Sequence, residues 1–374
     1  MKNILPVLFS VFILVISFYA DQNRTSMQHT KYRFPLSIVY KCGAHSDGKQ
    51  IQAVPFKSTY RAKNLDSIGT FPFVDPGFVR MLDFHEQFLK KQPRKEYKID
   101  RLSFSNTDLL KVVQIFKNYQ YSFPADLGNK FDFYQIKGED NLGNVKFSAY
   151  YTPIVKASMI KTSAYPIGVY KRPTSKDEVD VLNIRNGELE NKGLAIAYVQ
   201  NLQALRMLSL EGAGILEFEN GQFKHIAYHD KTSSDHFSDD SKITETATDA
   251  NGSSILRNTK ISSYPFFIEV DKNKVSSAGT PLEPWSTIAV DGSVIPIGAC
   301  LLSATPVVEE YEKLKHHALQ YVLAGDTGEA IKGTGKIDYY VGAGDKAAEF
   351  ASNLHHYGQL WLILPKKQKQ RHHL

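Results

Sequence analysis

The last hundred residues constrain the fold most, because short apolar runs there end in, or pass through, aspartates set among glycines. Thr287-Ile288-Ala289-Val290-Asp291 runs into Val294-Ile295-Pro296-Ile297-Gly298, and Ala324-Gly325-Asp326-Thr327-Gly328 leads to Ala330-Ile331-Lys332-Gly333. Lys336-Ile337-Asp338-Tyr339-Tyr340 follows, closed by Gly342-Ala343-Gly344-Asp345 and then Gly358-Gln359-Leu360-Trp361. Runs this short, rich in β-branched and aromatic residues and bounded by glycine, read as strands whose backbones approach closely.

Upstream the texture differs. Residues 21–70 are polar and irregular. A helix is predicted to open at Asp75-Pro76, a natural cap and first-turn proline, and to align Phe78, Met81, Leu82, His85 and Leu89 before stopping at Pro93. A second helix from near Thr107 aligns Leu109, Val112, Val113 and Phe116. From Phe131 onward short strands dominate, among them Phe147–Tyr151 and Ile215–Glu219 before an Asn220-Gly221 turn. The stretch from Ser233 to Ser254, rich in Ser, Asp and Thr, reads as a long surface loop. A helix over about Asp345–Leu354 and a strand over Leu360–Leu364 close the chain. The expected class is mainly β, with helices on the periphery.

At 374 residues, with 42% hydrophobic and 22% charged residues, the chain can bury a substantial core. Its 12% aromatics suit a β-rich core first, and a sugar-stacking groove second. The net charge of +6 gathers partly in Lys366–His373 and lacks the dense, face-localised footprint of a nucleic-acid binder. Met1, Lys2 and Asn3 precede an apolar run, Ile4–Ala20, and then polar Asp21-Gln22-Asn23-Arg24. This is the pattern of a secretory signal peptide, with an uncleaved membrane anchor as the competing reading; both imply export. Two cysteines, Cys42 and Cys300, allow a disulfide without requiring one, and no CxxC zinc motif occurs.

Aspartate beside glycine is foremost a turn signal. The alternative is catalytic: a carboxyl at the end of a buried strand is desolvated and crowded, which favours the protonated form that a general acid for glycoside cleavage needs. Asp326-Thr327-Gly328 also matches the aspartic-protease tripeptide, but such enzymes need two, and Asp291 is followed by Gly292-Ser293. His225 and His229, ahead of Asp230, have a metal-ligand spacing for a helix, in a segment that reads as strand and turn.

From about Gly279 to Pro365 the ordered segments closely resemble the three-aspartate "3D" domain of MltA-type lytic murein transglycosylases. Ala149-Tyr150-Tyr151-Thr152-Pro153 resembles that family's Gly-Tyr-Tyr-Thr-Pro motif, and Tyr165-Pro166-Ile167 its following Tyr-Pro element. Ser263-Tyr264-Pro265-Phe266-Phe267 is similar to its Ser-Tyr-Val-Phe-Phe, and Glu211-Gly212-Ala213-Gly214 stands where Gln-Gly-Ser-Gly is usual. The resemblance implies a double-psi β-barrel interrupted by a second, smaller β-domain, with a glycan-binding groove between them. The implied organisation is 1–20 signal peptide or anchor, 21–155 N-terminal segment and first part of the barrel, 156–270 inserted β-domain, 271–365 3D domain completing the barrel, and 366–374 basic tail.

Carried over residue by residue, the resemblance implies that Asp338 is catalytic, that Asp326 and Asp291 support it, and that Thr152, Tyr151, Lys332, Gly328 and Glu211 contact substrate. It implies no metal and no cofactor, with peptidoglycan glycan strands as the partner. It further implies an exported, periplasmic protein of a Gram-negative bacterium, associated with the membrane through its N-terminal segment. The implied reaction cleaves the bond between MurNAc and GlcNAc with closure of a 1,6-anhydro ring, one aspartate serving as acid and then base. Glu329, in place of a usual glycine, and the changes at Glu211 and Ala213 leave substrate preference open. A wall-binding module without turnover, and a hydrolase that uses water, are the rival expectations.

Overall fold

The computed structural model describes residues 72, 74–98, 102–118, 129–174, 184, 187–190, 192–232, 263–272, 275–308, 314–328 and 330–366, and the backbone alone of 38–40, 60–62, 99, 119, 191, 242–248 and 254–260. The N-terminal apolar run, Cys42, Glu329 and the basic tail beyond Lys366 lie outside these residues.

In chain order the first elements are strands β1 (Ile38–Tyr40) and β2 (Tyr60–Ala62), helix α1 (Pro76–Lys91), strands β3 (Glu96–Ile99) and β4 (Leu102–Ser105), and helix α2 (Asn106–Tyr119). Strands β5 (Phe131–Ile136), β6 (Val145–Thr152), β7 (Ile154–Ser158), β8 (Ile167–Tyr170) and β9 (Ala195–Val199) follow, then helix α3 (Leu202–Leu210). Next come β10 (Ala213–Phe218), β11 (Phe223–Lys231), β12 (Lys242–Thr248), β13 (Ser254–Lys260) and β14 (Pro265–Glu269). The chain ends with β15 (Thr287–Val290), β16 (Cys300–Val308), β17 (Leu314–Thr327), β18 (Lys336–Ala343), α4 (Asp345–Asn353) and β19 (His356–Pro365).

Six strands close into a ring in the order β17, β15, β18, β6, β19, β16 and back to β17. Two of the pairings, β15 with β17 and β6 with β18, are parallel, and the other four are antiparallel. This is the six-stranded barrel of the expected fold class, and closure removes the exposed edges an open sheet would present. Strands β7, β10, β11, β14, β8 and β9 close a second barrel, again with two parallel pairs, β7 with β10 and β8 with β14.

Each barrel has its own core. The first is built on residues such as Phe147, Ile288, Leu302, Leu323, Tyr339 and Trp361, and the second on Val169, Val199, Leu205, Leu216, Ile226 and Phe267. Helices α1 and α2 cover the outside of the first barrel. Asp75 caps α1 by accepting from the Gly77 amide at 2.7 Å, and the predicted stripe of Phe78, Met81, Leu82, His85 and Leu89 is buried. On α2, Leu109, Val112, Val113 and Phe116 are fully buried, and the Phe116 ring lies 5.0 Å from Phe78 and 4.8 Å from Tyr321. Fully burying one such side chain contributes about 1.5–3 kcal/mol, so these stripes hold the helices to the barrel.

The chain passes between the barrels at Thr152-Pro153-Ile154. Pro153 has no amide to donate, so the ladder of β6 ends there, and its carbonyl accepts from the Ile215 amide at 2.9 Å on the second barrel.

Two expectations need correction. The stretch read as a surface loop from Ser233 to Ser254 contains strand β12, and Ser254 opens β13; the two pair antiparallel. Its β-branched run, Ile243-Thr244-Glu245-Thr246, favours extended backbone despite little apolar content, and hydrophobicity was the wrong guide. The last strand begins at His356, four residues before Leu360, because Gly358 and its neighbours pair with β6 before the strand joins β16. Helix α3 carried no expectation; its Leu202, Leu205 and Leu208 stripe is short but fully buried. Cys300 is a buried free thiol on β16.

Where β19 crosses from β6 to β16, a Cβ on Gly358 would fall 2.3 Å from the Ala304 carbonyl oxygen and 2.8 Å from the Phe147 ring. Backbone cannot give way cheaply there, so Gly358→Ala is expected to destabilise the protein by about 1–3 kcal/mol in urea unfolding. Gly292→Ala, whose Cβ meets only ordinary contacts from 3.5 Å, should stay within about 0.5 kcal/mol of wild type.

Candidate active-site groove

One row of residues across the first barrel organises the site. Asp326 on β17 is opposite Ala289 on β15, Ala289 is opposite Asp338 on β18, and Asp338 is opposite Ser148 on β6. Residues opposite one another on neighbouring strands point to the same face. Ile288 and Tyr339, one position away, are fully buried, so the aspartate row faces outward.

This row depends on a bulge. Ile288 pairs with Ala324 but Ala289 pairs with Asp326, which leaves Gly325 as the extra residue. A strand without the bulge would turn Asp326 to the opposite face. Glycine suits the position, since a Cβ would lie 3.0 Å from Thr287 Cγ2 and 3.4 Å from the ring of buried His85. Burial holds His85 well below the ordinary histidine value, at about 4, so it is neutral beneath the site.

The three aspartates have different surroundings. Ser148 Oγ donates to Asp338 Oδ1 at 2.5 Å, and Lys336 Nζ lies 3.4 Å from the same oxygen. Asp326 accepts from Tyr150 Oη at 3.0 Å, from the amide and hydroxyl of Ser277 at 2.9 and 2.6 Å, and from the Thr327 amide at 2.9 Å. Three of these donors converge on Oδ1 and Tyr150 reaches Oδ2, and together they tie the loop at Ser277 to the barrel. Asp291 accepts from the Ser293 hydroxyl and amide at 2.6 and 2.9 Å and from the Gly333 amide at 2.7 Å. It therefore anchors the turn that leads into β18.

Those donors hold Asp291 below the ordinary aspartate value, the Ser293 hydroxyl contributing most, then the Gly333 amide, with Lys332 adding its charge. Tyr150 is pushed well above the ordinary tyrosine value, first by burial and then by the Asp326 charge. Its hydroxyl stays a donor at any physiological pH.

A cavity of about 340 Å³ lies between the two barrels. The first barrel supplies Tyr151, Thr152, Ser277 and Asp326, and the second supplies Glu211 and Tyr228. Glu211 caps the C-terminal end of α3 and reaches the first barrel, where its Oε2 accepts from the Tyr151 amide at 3.4 Å. Burial raises its carboxyl above the usual range, and the Asp338 charge adds to this. Thr152 is buried, and its hydroxyl is 3.0 Å from Tyr340 Oη.

The structure thus places Asp326, Tyr151, Thr152 and Glu211 on the cavity wall and Asp338 in the same row as Asp326. Asp291, Gly328 and Lys332 belong to the turns beside it. Gly328 contacts Ile331, and Lys332 is exposed near Asp291. Ser148, Lys336, Ser277 and Tyr340 escaped sequence reasoning. Lys336 and Asp338 stand two apart on one strand, a readable signal; Ser148 is 190 residues from its partner and left none. His225 and His229 lie on β11, and among the described residues no group of three or more His, Cys, Asp or Glu could hold a metal. No described helix is long and apolar enough to cross a membrane.

Two barrels meeting at a carboxylate-lined groove define the class, and the 3D domain family model matches residues 286–364, the segment that carries all three aspartates. The membrane-bound lytic murein transglycosylase A homolog of Buchnera aphidicola subsp. Schizaphis graminum is 31% identical over 261 residues, covering 63% of this chain and 71% of the relative. Membrane-bound lytic murein transglycosylase A of Escherichia coli K12 is 28% identical over 255 residues, covering 62% and 69%. The fold is similar to the crystal structure of E. coli MltA with bound chitohexaose, at a TM-score of 0.63 and 20% identity over 86% of this chain and 98% of that one. It is also similar to the membrane-bound lytic murein transglycosylase of Agrobacterium tumefaciens, at a TM-score of 0.59 and 19% identity over 82% and 98%. The chain belongs to the membrane-bound lytic murein transglycosylase A family.

Because Asp291 is held below its ordinary value of 3.8, its ionised form adds stability above that value and loses it as pH falls through the folded value. Asp291→Asn should therefore lower the melting temperature most near pH ~7, with the gap to wild type closing below about pH 4. Both proteins keep His85, so its contribution cancels. A gap that stays constant with pH would contradict this account.

Proposed function

We propose that this chain cleaves the β-1,4 bond between MurNAc and GlcNAc of peptidoglycan and leaves a 1,6-anhydro-MurNAc end, with Asp338 as general acid and then general base. The observation that carries this reading is the setting of Asp338. It stands in the same row as Asp326 of the cavity wall, Oδ1 is engaged by Ser148 and Lys336, and Oδ2 has no hydrogen-bond partner among the described residues. Membership of a family of murein transglycosylases supports the substrate class, and the chitohexaose bound to the E. coli relative supports a β-linked amino-sugar polymer in the groove.

The reaction balances without water. Asp338 gives its proton to the glycosidic oxygen, and the C1–O bond breaks with its electron pair going to that oxygen. An oxocarbenium-like state develops. The C6 hydroxyl of the same sugar attacks C1, closing the ring, and its proton passes to the Asp338 carboxylate. The substrate supplies the nucleophile, so the second carboxylate of ordinary glycosidases is unnecessary. Asp326 supports the barrel face through Tyr150 and Ser277, and Asp291 supports it through the Gly333 turn. Tyr151, Thr152 and Glu211 contact the glycan in the cavity, and Gly328 and Lys332 contact it at the rim. No cofactor takes part.

The substrate lies outside the cytoplasmic membrane, so the N-terminal run exports the chain to the periplasm, either as a signal peptide or as an anchor that keeps it at the membrane. Nucleic acid is not a partner. Protein partners do not follow from these residues.

Digestion of purified peptidoglycan, with products identified by mass spectrometry, tests the proposal. Muropeptides ending in 1,6-anhydro-MurNAc are expected, with a fall of at least about 10²-fold in Asp338→Asn, the scale of a lost acid–base group. Reducing MurNAc ends would mean that water reaches C1. Glycan binding with no product from wild type would mean a wall-binding module.

A further inference from the structure

We infer that Lys336 is a positioning residue for this step: together with Ser148 it holds Oδ1 of Asp338, so that Oδ2 is the oxygen that gives the proton to the glycosidic oxygen and takes it back from the C6 hydroxyl. The inference rests on the reading of Asp338 as the acid–base group.

The two partners converge on one atom. Ser148 Oγ is 2.5 Å and Lys336 Nζ 3.4 Å from Asp338 Oδ1. An ammonium has three donors and no acceptor, so an Oδ1 that carried its own proton would face a cation with nothing to receive it. The proton belongs on the other oxygen, which has no hydrogen-bond partner among the described residues.

The strand enforces this geometry. Lys336 and Asp338 alternate with buried Ile337 on β18, so both side chains stand on the groove face with no loop between them. The lysine and aspartate side chains are 31% and 19% exposed, so solvent screens their attraction only in part. The pair is also well placed among other charges. Lys146 stands opposite Lys336 on β6 and is exposed. Asp326 shares the row, and Glu211 and Tyr150 both feel the Asp338 charge. Among the described residues Lys336 is the cation within ion-pair distance of Asp338.

Positioning acts on the chemical step and not on glycan binding. Lys336→Met is therefore expected to lower kcat, read from 1,6-anhydro ends, by about 10-fold, with KM and chitohexaose binding within about twofold of wild type. Lys336→Arg, which keeps a cation at Oδ1, should restore most of kcat. An unchanged kcat in Lys336→Met, an equal loss in Lys336→Arg, or a loss carried by KM alone overturns the inference. Full turnover in Asp338→Asn would instead overturn the functional reading.

Discussion

The parallel pairing of β6 with β18 is the constraint on which the rest of the site depends. It joins strands almost two hundred residues apart in sequence and brings Ser148, Tyr150 and Thr152 beside Lys336, Asp338 and Tyr340. Parallel strands need a long crossover between them, and the chain uses that necessity: the whole second barrel is built within it, between Ile154 and Glu269. The strand that carries the groove wall therefore becomes, across Pro153, the first strand of the second barrel. A groove between the barrels follows from this connectivity.

The face along that groove is polar in a satisfied way. Tyr150 meets Asp326, Thr152 meets Tyr340, and Ser148 meets Asp338. Buried or half-buried hydroxyls left without partners would each cost about 1–3 kcal/mol, so these bonds hold the face in one arrangement. The carboxylates divide the labour. Asp326 and Asp291 have both oxygens engaged by hydrogen-bond donors, whereas in Asp338 only Oδ1 is engaged among the described residues. Glu211 reaches the Tyr151 amide from the other barrel and ties the two walls at the point where they enclose the cavity.

Much of this was legible in advance where the signal is local. The Asp75-Pro76 cap, the two helical stripes and the Asp-bearing strands rest on spacing and on side-chain chemistry within a few residues, and each lies where that chemistry directs. The hairpin β12–β13 was misread because threonine-rich strands look polar and loop-like when apolar content is the guide. Helix α3 was missed because three buried leucines over nine residues make too short a stripe to separate from a strand–turn pattern. Among the site residues, the three aspartates stood out through their glycine-rich surroundings, while Ser148 and Ser277 had nothing nearby to mark them.

By itself the sequence determined the Asp-bearing strands of the last hundred residues, the apolar faces of the first two helices, where the carboxylates sit along the chain, and the family resemblance that ordered them. These are consequences of local spacing and residue type. Only the tertiary structure decided which carboxylates share a face, because that depends on register. The bulge at Gly325 turns Asp326 to the side of Asp338, and a one-residue difference would have sent it to the other. Only the closed ring decided which donors reach each aspartate, since Ser148 meets Asp338 through strand pairing across 190 residues, a separation over which no local rule acts.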